Sequence, residues 1–410
     1  MIISRRGFLG TAAAAALVPS VAMAQGRTVV AKPGSASIVG AGQPATAVWA
    51  YDGQVPGPVL RFRQGERARM VVENRLPQPT TVHWHGLRLP NAMDGVPDLT
   101  QPAIPPGGRF VYEFDLPDAG TFWYHPHQRS AEQVGRGLAG AFIVDERAPV
   151  AVDRDELWVL DDWRLTQEAA IAEEFNHPMD ASHAGRLGNT VTINGRVPER
   201  FAARAGERLR LRLINVSNAR IFALTFEGHA PQVIAVDGHP VEPHAPDGGR
   251  VVLGPAMRAD LLIDMTANGT HRVIDSFYPN RTYRLVDLVY EGGPAPTHPR
   301  PPLRLPDNPI PTPDLERAER HVIELGGGMM DPRLMRVIQQ TPERRDEVVA
   351  EMRQRMQRGA IWTINGVAAH GHAHAPLLTL AHGRTYIFDL VNDTAWHHPM
   401  HLHGMPMHVL

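Results

Sequence analysis

The sequence of 410 residues contains no cysteine, which excludes disulfides, thiol nucleophiles, cysteine-ligated zinc sites and a copper–thiolate centre within these residues. An excess of one charge is missing as well. The 41 Lys and Arg against 43 Asp and Glu leave a net charge of −2, which argues against a nucleic-acid-binding protein. No apolar run reaches the roughly 20 residues that span a bilayer, so no membrane anchor is predicted. Histidine is plentiful, with 21 residues, and so are glycine and proline, with 37 each.

The first 24 residues have the pattern of an export signal rather than of a folded segment. Ser4-Arg5-Arg6-Gly7-Phe8-Leu9 is a twin-arginine motif, an alanine-rich apolar run follows it, and Ala22-Met23-Ala24 is typical of a cleavage site. We expect residues 1–24 to direct export of a folded protein to the periplasm by the twin-arginine translocase.

Beyond the export signal, the chain has the alternating pattern of short β-strands. In Arg208–Asn215, arginine alternates with leucine, which predicts a half-buried strand whose three leucines share the buried face. The clearest helical signal covers Pro342–Gln357, and the proline-dense segment Gly292–Pro313 is predicted to be an extended linker. Abundant glycine and proline fit the many turns between short strands. The predicted fold class is all-β.

One template recurs three times in the sequence: an Asp-Gly or Asn-Gly turn, then a glycine with a charged residue, then an alternating strand that ends at asparagine. The three asparagines, Asn74, Asn215 and Asn392, lie 141 and 177 residues apart. Periods of this length indicate repeated domains rather than solenoid units. We therefore predict three tandem domains, over residues 27–148, 149–292 and 321–410, with residues 293–320 as the linker before the third.

Histidine pairs occupy the same place in the first and third copies of this template. Nine and eleven residues after the asparagine lie His83 and His85 in the first copy, and His401 and His403 in the third. The second copy has leucine and phenylalanine there. Residues i and i+2 of a strand share a face, so we predict that the first and third copies bind metal while the second copy spaces them.

A further pair, His125 and His127, follows the predicted strand that begins at Phe110. Six paired histidines exceed the four ligands of a structural zinc site and the three of a catalytic one, so we expect several ions. Imidazoles without thiolate or carboxylate neighbours favour copper, although ligand type alone leaves zinc open.

Three segments resemble copper-binding motifs of the multicopper oxidases, the family of three-cupredoxin-domain proteins that includes laccases and bacterial cuprous oxidases. They are His83-Trp84-His85-Gly86, Trp123-Tyr124-His125-Pro126-His127 and His398-Pro399-Met400-His401-Leu402-His403-Gly404. The resemblance implies three cupredoxin-like Greek-key β-sandwich domains and a copper cofactor. It also implies the ligands: His83 and His401 on the type 2 copper, His85, His125, His127 and His403 on the binuclear type 3 pair, and His398 on the type 1 copper.

The fourth motif of the family, a His-Cys-His strand with a further histidine and an axial methionine, is missing, and six residues follow Gly404. We therefore expect the third domain to be incomplete and this sequence to be an interrupted copy of an oxidase. With an incomplete type 1 site and two type 3 ligands missing, the chain is expected to bind copper weakly and not to oxidise phenolic dyes.

Asp94 lies nine residues past His85 and resembles the acid that the family places near its copper cluster, where it would hold water and relay protons. A turn aspartate before a glycine is the local alternative. His370, His372 and His374 form a run that we interpret as a surface loop, with a weak accessory copper site as the alternative.

The resemblance implies a periplasmic oxidase that couples one-electron oxidation of a small donor, a phenol or cuprous ion, to four-electron reduction of dioxygen to water. The alternative is a catalytically inactive protein on a cupredoxin scaffold, which would serve in binding or in envelope structure. All six cluster histidines of the first three motifs are present, which favours the oxidase.

Overall fold

The computed structural model describes residues 26–291, 300–329, 331–358, 360–368 and 375–410. The predicted export signal and the run His370–His374 lie outside these residues. Strands dominate the described chain, which confirms the prediction of an all-β fold. None of the helices in this part of the chain is long and apolar enough to cross a membrane.

Residues 27–145 form a sandwich of two four-stranded sheets, called here the first sandwich. Its elements are β1 (Arg27–Ala36), β2 (Thr46–Tyr51), β3 (Gly57–Arg63), β4 (Arg67–Asn74), β5 (His83–His85), β6 (Arg109–Asp115), β7 (Gly120–His125), helix α1 (Ser130–Gly135) and β8 (Gly140–Asp145). The strand orders are β2-β1-β4-β6 and β3-β8-β7-β5. Large rings, among them Trp84, Tyr112 and Phe142, are fully buried between the sheets. Such a close-packed core holds β5 and β7, which carry four of the predicted histidines at or next to their ends.

Residues 154–291 form a larger sandwich, the second sandwich. Its elements are β9 (Arg154–Trp163), helix α2 (Pro178–Ser182), β10 (Thr190–Ile193), β11 (Arg200–Arg204), β12 (Arg208–Asn215), β13 (Phe222–Phe226), β14 (Gln232–Val236), β15 (His239–His244), β16 (Val251–Leu253), β17 (Arg258–Asp264), β18 (Thr270–Asp275) and β19 (Tyr283–Glu291). The strand orders are β10-β9-β12-β17-β14-β15 and β11-β19-β18-β13-β16. Leu224 and Phe226, which replace the histidines of the other copies, pack in the core.

Strand β12 has the predicted bounds, but the prediction that it is half-buried is wrong. All eight of its residues are buried. Its leucines face the core of the second sandwich, and Arg210 on the opposite face lies 2.9 Å from Glu146, just after the first sandwich. An arginine on an alternating strand indicates a solvent face because burying charge is costly, but carboxylates brought by another part of the fold offset that cost.

The described part of residues 319–392 contains one three-stranded sheet, the third sheet, in the order β21-β20-β22. Its elements and the helices between them are β20 (Glu319–Gly327), α3 (Pro332–Gln340), α4 (Arg345–Gln357), β21 (Trp362–Ile364) and β22 (Tyr386–Asn392). The predicted helix over Pro342–Gln357 is present as α4 with a 3₁₀ turn before it. The sequence pattern did not indicate α3.

The described part of the predicted linker, residues 300–313, contains no helix or strand. Leu305 is 2% exposed and packs on the second sandwich. The Asn308 side chain accepts a hydrogen bond from the Ala119 amide at 2.8 Å and donates one to the Ala119 carbonyl at 2.9 Å. The linker therefore ties the first and second sandwiches together.

Candidate metal centre

Four imidazoles come together at the ends of β5 and β7 in the first sandwich. The strands are antiparallel, and their register pairs His83 with His125 and His85 with Trp123. Between ring centroids, His83 lies 5.4 Å from His85 and 5.3 Å from His125. His127, just beyond β7, lies 5.8 Å from His83. Alternate residues of a strand share a face, so strand pairing joins the two sequence pairs into one group.

The third pair, His401 and His403, reaches this group from the segment after β22. His401 stacks on His85 with ring centroids 3.9 Å apart, and its Nε2 lies 3.4 Å from His83 Nε2. The His403 ring lies 4.1 Å from His83 and 5.0 Å from His127. The structure therefore brings all six predicted cluster histidines together, although His83 and His403 lie 320 positions apart in the sequence.

The prediction that His401 and His403 lie on a strand equivalent to β5 is wrong. Residues 393–410 contain turns and irregular backbone but no strand. The Asn392 side chain accepts a hydrogen bond from the Thr394 amide and donates one to the Trp396 carbonyl, which turns the chain at the end of β22. A strand needs a partner for its backbone groups, and within the described residues none pairs with this segment.

The ring nitrogens converge closely enough to share ions. Two groups of three, His83 with His401 and His403, and His83 with His85 and His125, each have one ring nitrogen per residue within 4.8 Å of the others. Two imidazole nitrogens that bond one ion at about 2.0–2.1 Å, with roughly tetrahedral angles, lie about 3.3–3.4 Å apart. The same spacing, 3.4 Å, separates His83 Nε2 from His401 Nε2, and it also separates His85 Nδ1 from His125 Nε2. The donor set therefore fits metals that bind imidazole, copper among them.

Burial favours the neutral form of five of these imidazoles. Desolvation lowers the pKa of His83, His85 and His125, which lie inside the first sandwich. Desolvation, with the neighbouring imidazoles, also lowers the pKa of His127 to about 4 and the pKa of His401 to about 3. The neutral ring is the form that ligates a metal, so these five imidazoles can bind cations near neutral pH.

Asp94 holds two of the imidazoles by their other ring nitrogen. His403 Nδ1 lies 2.7 Å from Asp94 Oδ2, and His83 Nδ1 lies 2.7 Å from the Asp94 backbone carbonyl oxygen. A hydrogen bond donated by Nδ1 leaves the lone pair on Nε2, which is the atom His83 turns toward His401. Burial raises the pKa of the Asp94 carboxyl, but the close contacts with His403 and His83 outweigh burial and lower it. Asp94 is thus an ionised anchor for the cluster as well as a turn residue.

The glycine after Asp94 is needed for this contact. Gly95 has a φ of +81°, and a Cβ at this position would clash with the carbonyl oxygen of Val82. Val82 directly precedes His83, so the turn at Asp94 presses against the start of β5. A larger residue would push the Asp94 carboxylate away from the imidazoles.

Comparison with known proteins agrees with this geometry. Multicopper oxidase family models match residues 34–149, 154–285 and 341–410. The multicopper oxidase MmcO of Mycobacterium tuberculosis is 30% identical to this chain, over 98% of this chain and 85% of that protein. The chain belongs to the multicopper oxidase family.

A solved structure and a copper resistance protein are also similar to this multicopper oxidase. A crystal structure of a multicopper oxidase from Pseudomonas thermotolerans matches 93% of this chain and 84% of its own, with a TM-score of 0.76 and 35% identity. Copper resistance protein A of Escherichia coli is 32% identical over 49% of this chain, but the match spans only 40% of that protein. The predictions of family, cupredoxin-like fold and oxidoreductase class are confirmed.

In this multicopper oxidase, His398 stands apart from the six clustered histidines. Its ring packs edge-on against Trp362 with centroids 4.9 Å apart, and its Nε2 lies 2.9 Å from Thr394 Oγ1. Burial lowers the pKa of His398. Among the described residues it joins neither group of three possible ligands, so its role on a type 1 copper stays a prediction.

Two residues near the multicopper oxidase cluster were not indicated by the sequence. Arg258, on β17 of the second sandwich, is buried. The pKa of His85 is lowered first by the burial of His85 itself and second by the positive charge of Arg258. Thr121, on β7, bonds to side chains of the second sandwich. The available signal was the alternation of charged residues on β12 and β17, which is typical of a solvent face. The second sandwich is therefore more than the spacer that the sequence predicted.

Proposed function

We propose that the six clustered histidines bind a three-copper cluster and that the protein serves in dioxygen reduction. His83 and His401 would hold the type 2 copper, and His85, His125, His127 and His403 would hold the binuclear type 3 pair. The observation that carries the proposal is the convergence of all six imidazoles, above all the 3.4 Å approach of His83 to His401. Copper bound there would supply the one-electron steps that reduce dioxygen to water.

Asp94 prepares this site for proton transfer. Its Oδ2 accepts a hydrogen bond from His403. Its Oδ1 is buried, lies 3.3 Å from His83 Nδ1, and has no hydrogen-bond partner in the described part of the chain. An ionised oxygen left open beside the cluster can accept a hydrogen bond or a proton from water. Because dioxygen reduction to water consumes protons, we assign their relay to Asp94.

Electron entry needs a site that these 410 residues do not complete. The family's type 1 copper is held by a cysteine thiolate, and the sequence contains no cysteine, although His398 offers one imidazole. We therefore expect this chain to bind copper without oxidising phenols, and turnover to require a polypeptide that also carries the cysteine motif. Relatives named copper resistance protein A and Laccase-3 support cuprous ion and phenols as donor classes.

We also propose a periplasmic location, reached through the twin-arginine translocase. The support is the Arg5-Arg6 pair and the Ala22-Met23-Ala24 cleavage pattern. Replacement of both arginines by lysine should retain the protein in the cytoplasm, and fractionation of cells would detect this. Normal export of the lysine variant would reject the twin-arginine route.

Copper titration of the metal-free 410-residue chain tests the proposed cluster. We expect the chain to bind up to three copper ions, with an affinity that competition with a chelator measures. The double variant His83→Ala, His401→Ala should lose most of this binding, because both imidazoles point at one position. The control, His177→Ala with His244→Ala, changes two exposed histidines outside the cluster and should leave binding unaltered.

Equal copper binding by all three proteins would reject the cluster. That result would favour the second candidate function, a catalytically inactive binding or envelope protein on a cupredoxin scaffold. The observation in favour of this candidate is the lack of cysteine in the 410 residues. The observation against it is the convergence of six imidazoles with no ligand pair missing from the first three motifs.

A further inference from the structure

Buried charges line the face that the second sandwich turns toward the first. Arg210 and Arg212 on β12, and Arg258 and Asp260 on β17, are each 3% exposed or less. The two strands are antiparallel neighbours with Arg212 opposite Asp260, and the residues alternate, so the four side chains share one face. A buried charge is costly unless another group pairs with it. The groups that pair with these four side chains therefore indicate the role of this face.

Thr121, on β7 of the first sandwich, is a partner of three of these charges. Its hydroxyl donates a hydrogen bond to Asp260 Oδ1 at 2.6 Å and accepts one from Arg212 Nη1 at 2.8 Å. Its backbone carbonyl accepts a hydrogen bond from Arg258 Nε at 3.3 Å. Three side chains of the second sandwich therefore converge on one fully buried residue of β7.

The other charges of this face are paired as well. Arg210 Nη2 lies 2.7 Å from Asp260 Oδ2, and Arg210 Nη1 lies 2.9 Å from Glu146 Oε1. Arg212 Nε lies 2.7 Å from Asp155 Oδ1. In such a network each donor and acceptor is already committed, so loss of one member leaves another buried and unpaired. The position of Thr121 is thus closely specified by the second sandwich.

Strand β7 connects this contact to the candidate copper ligands. Thr121, Trp123 and His125 alternate along β7 and share a face, and Trp123 stacks on His125 with centroids 4.1 Å apart. Gly86, the residue after β5, has no room for a Cβ because the Arg258 guanidinium occupies that space. The same set of side chains therefore touches both strands that carry ligands.

We propose that Thr121 is a positioning residue for the copper cluster. Three side chains of the second sandwich hold it by hydrogen bonds, and copper affinity depends on these bonds. The inference rests on the proposed function. Ligands must be held in place to share an ion, and loss of a group that orients a ligand typically lowers metal affinity about 10- to 100-fold. The second sandwich thus contributes to the metal centre without supplying a ligand.

The variant Thr121→Val tests these hydrogen bonds because it keeps the size and branching of the side chain and removes the hydroxyl. Competition with a chelator should show copper affinity lowered at least about tenfold, and Thr121→Ser should bind copper nearly as the unaltered chain does. In the metal-free chain, the amides of Trp123–His125 should exchange hydrogen faster in the valine variant. These readouts do not require oxidase activity.

The matched control is Arg208→Gln, which breaks the Arg208–Asp264 pair, 2.6 Å apart, on the same two strands but away from β7. It should lower the unfolding midpoint and leave copper affinity unchanged. Unchanged affinity in Thr121→Val would overturn the inference even if stability fell, and so would a serine variant as weak as the valine variant.

Should Thr121→Val not fold, Arg258→Met decides the matter. This variant leaves the Thr121 hydroxyl bonds in place and removes the donor to the Thr121 carbonyl, because methionine has no N–H group. The inference requires lowered copper affinity in Arg258→Met, and unchanged affinity overturns it. If the unaltered chain shows no histidine-dependent copper binding, the proposed function fails and the inference with it. Equal affinity of the unaltered and variant chains rejects the inference alone.

Discussion

The two halves of the histidine cluster differ in how the fold holds them. In the first sandwich, His83, His85 and His125 are 1%, 5% and 9% exposed and lie on paired strands. After the third sheet, His401 and His403 lie on an irregular segment, and the His403 side chain is 31% exposed. The first half is preorganised by its own core, whereas the second half is placed by the contacts it makes at the cluster.

The surroundings of the two halves differ in the same way. The first sandwich encloses its apolar side chains between two sheets. On the third sheet, Val322, Leu390 and Val391 are 56%, 50% and 43% exposed. An apolar sheet face stabilises a fold only when a second layer covers it. We therefore expect substitutions in the first sandwich to cost more than similar substitutions on the third sheet.

The largest effect is expected for Phe142→Ala in the first sandwich. Phe142 is fully buried, and its ring lies 5.1 Å from Phe62 and 5.8 Å from Trp84. The cavity should lower the free energy of unfolding by about 3–5 kcal/mol, which urea denaturation would measure. If the free energy of unfolding fell no more than it does for a surface substitution, the core of the first sandwich would not be what holds this half of the cluster rigid.

Asp94→Ala should have the next largest effect, because it acts where the two halves meet. The variant removes the carboxylate from His403 but keeps the backbone carbonyl that His83 uses. Copper affinity should fall about 10- to 100-fold in chelator competition. The control is Asp115→Ala, whose side chain on β6 is 74% exposed and pairs with Arg67 rather than with a histidine. Unchanged affinity in Asp94→Ala would reduce Asp94 to a turn residue.

Acid should destabilise the metal-free protein through both halves. The folded pKa is about 4 for His127 and about 3 for His401, against an ordinary value of 6.5. Below pH 6.5 the unfolded chain therefore binds more protons than the folded chain, and stability falls as the pH is lowered toward the folded values. The melting temperature should be lower at about pH 5 than at about pH 7. His127→Gln with His401→Gln should narrow that difference, and an unchanged difference would contradict the assignment.

The smallest effect is expected for Leu390→Ser on the third sheet. The leucine is 50% exposed, so the free energy of unfolding should change by no more than about 0.5 kcal/mol. Urea denaturation under the conditions used for Phe142→Ala would measure it. A loss as large as that of Phe142→Ala would show that this face is covered in solution, and the contrast between the two regions would disappear.

Local elements were predictable where a short-range pattern decides them. Strand β12 has the predicted bounds because alternation along an extended chain is set by covalent geometry, and α4 follows the predicted helical spacing. The predicted strand for His401 and His403 failed because a strand also needs a partner. The buried arginine face of β12 could not be predicted, since one of the carboxylates that neutralise it, Glu146, comes from just after the first sandwich.

By itself, the sequence determined which histidines act in pairs and to which family the chain belongs, because the two-residue period of extended backbone and the motifs are local. Only the tertiary structure decided that His401 meets His83, 318 residues away, and that Asp260 meets Thr121, 139 residues away. Such contacts depend on how whole sheets pack against each other, and a short-range pattern holds no information on that packing.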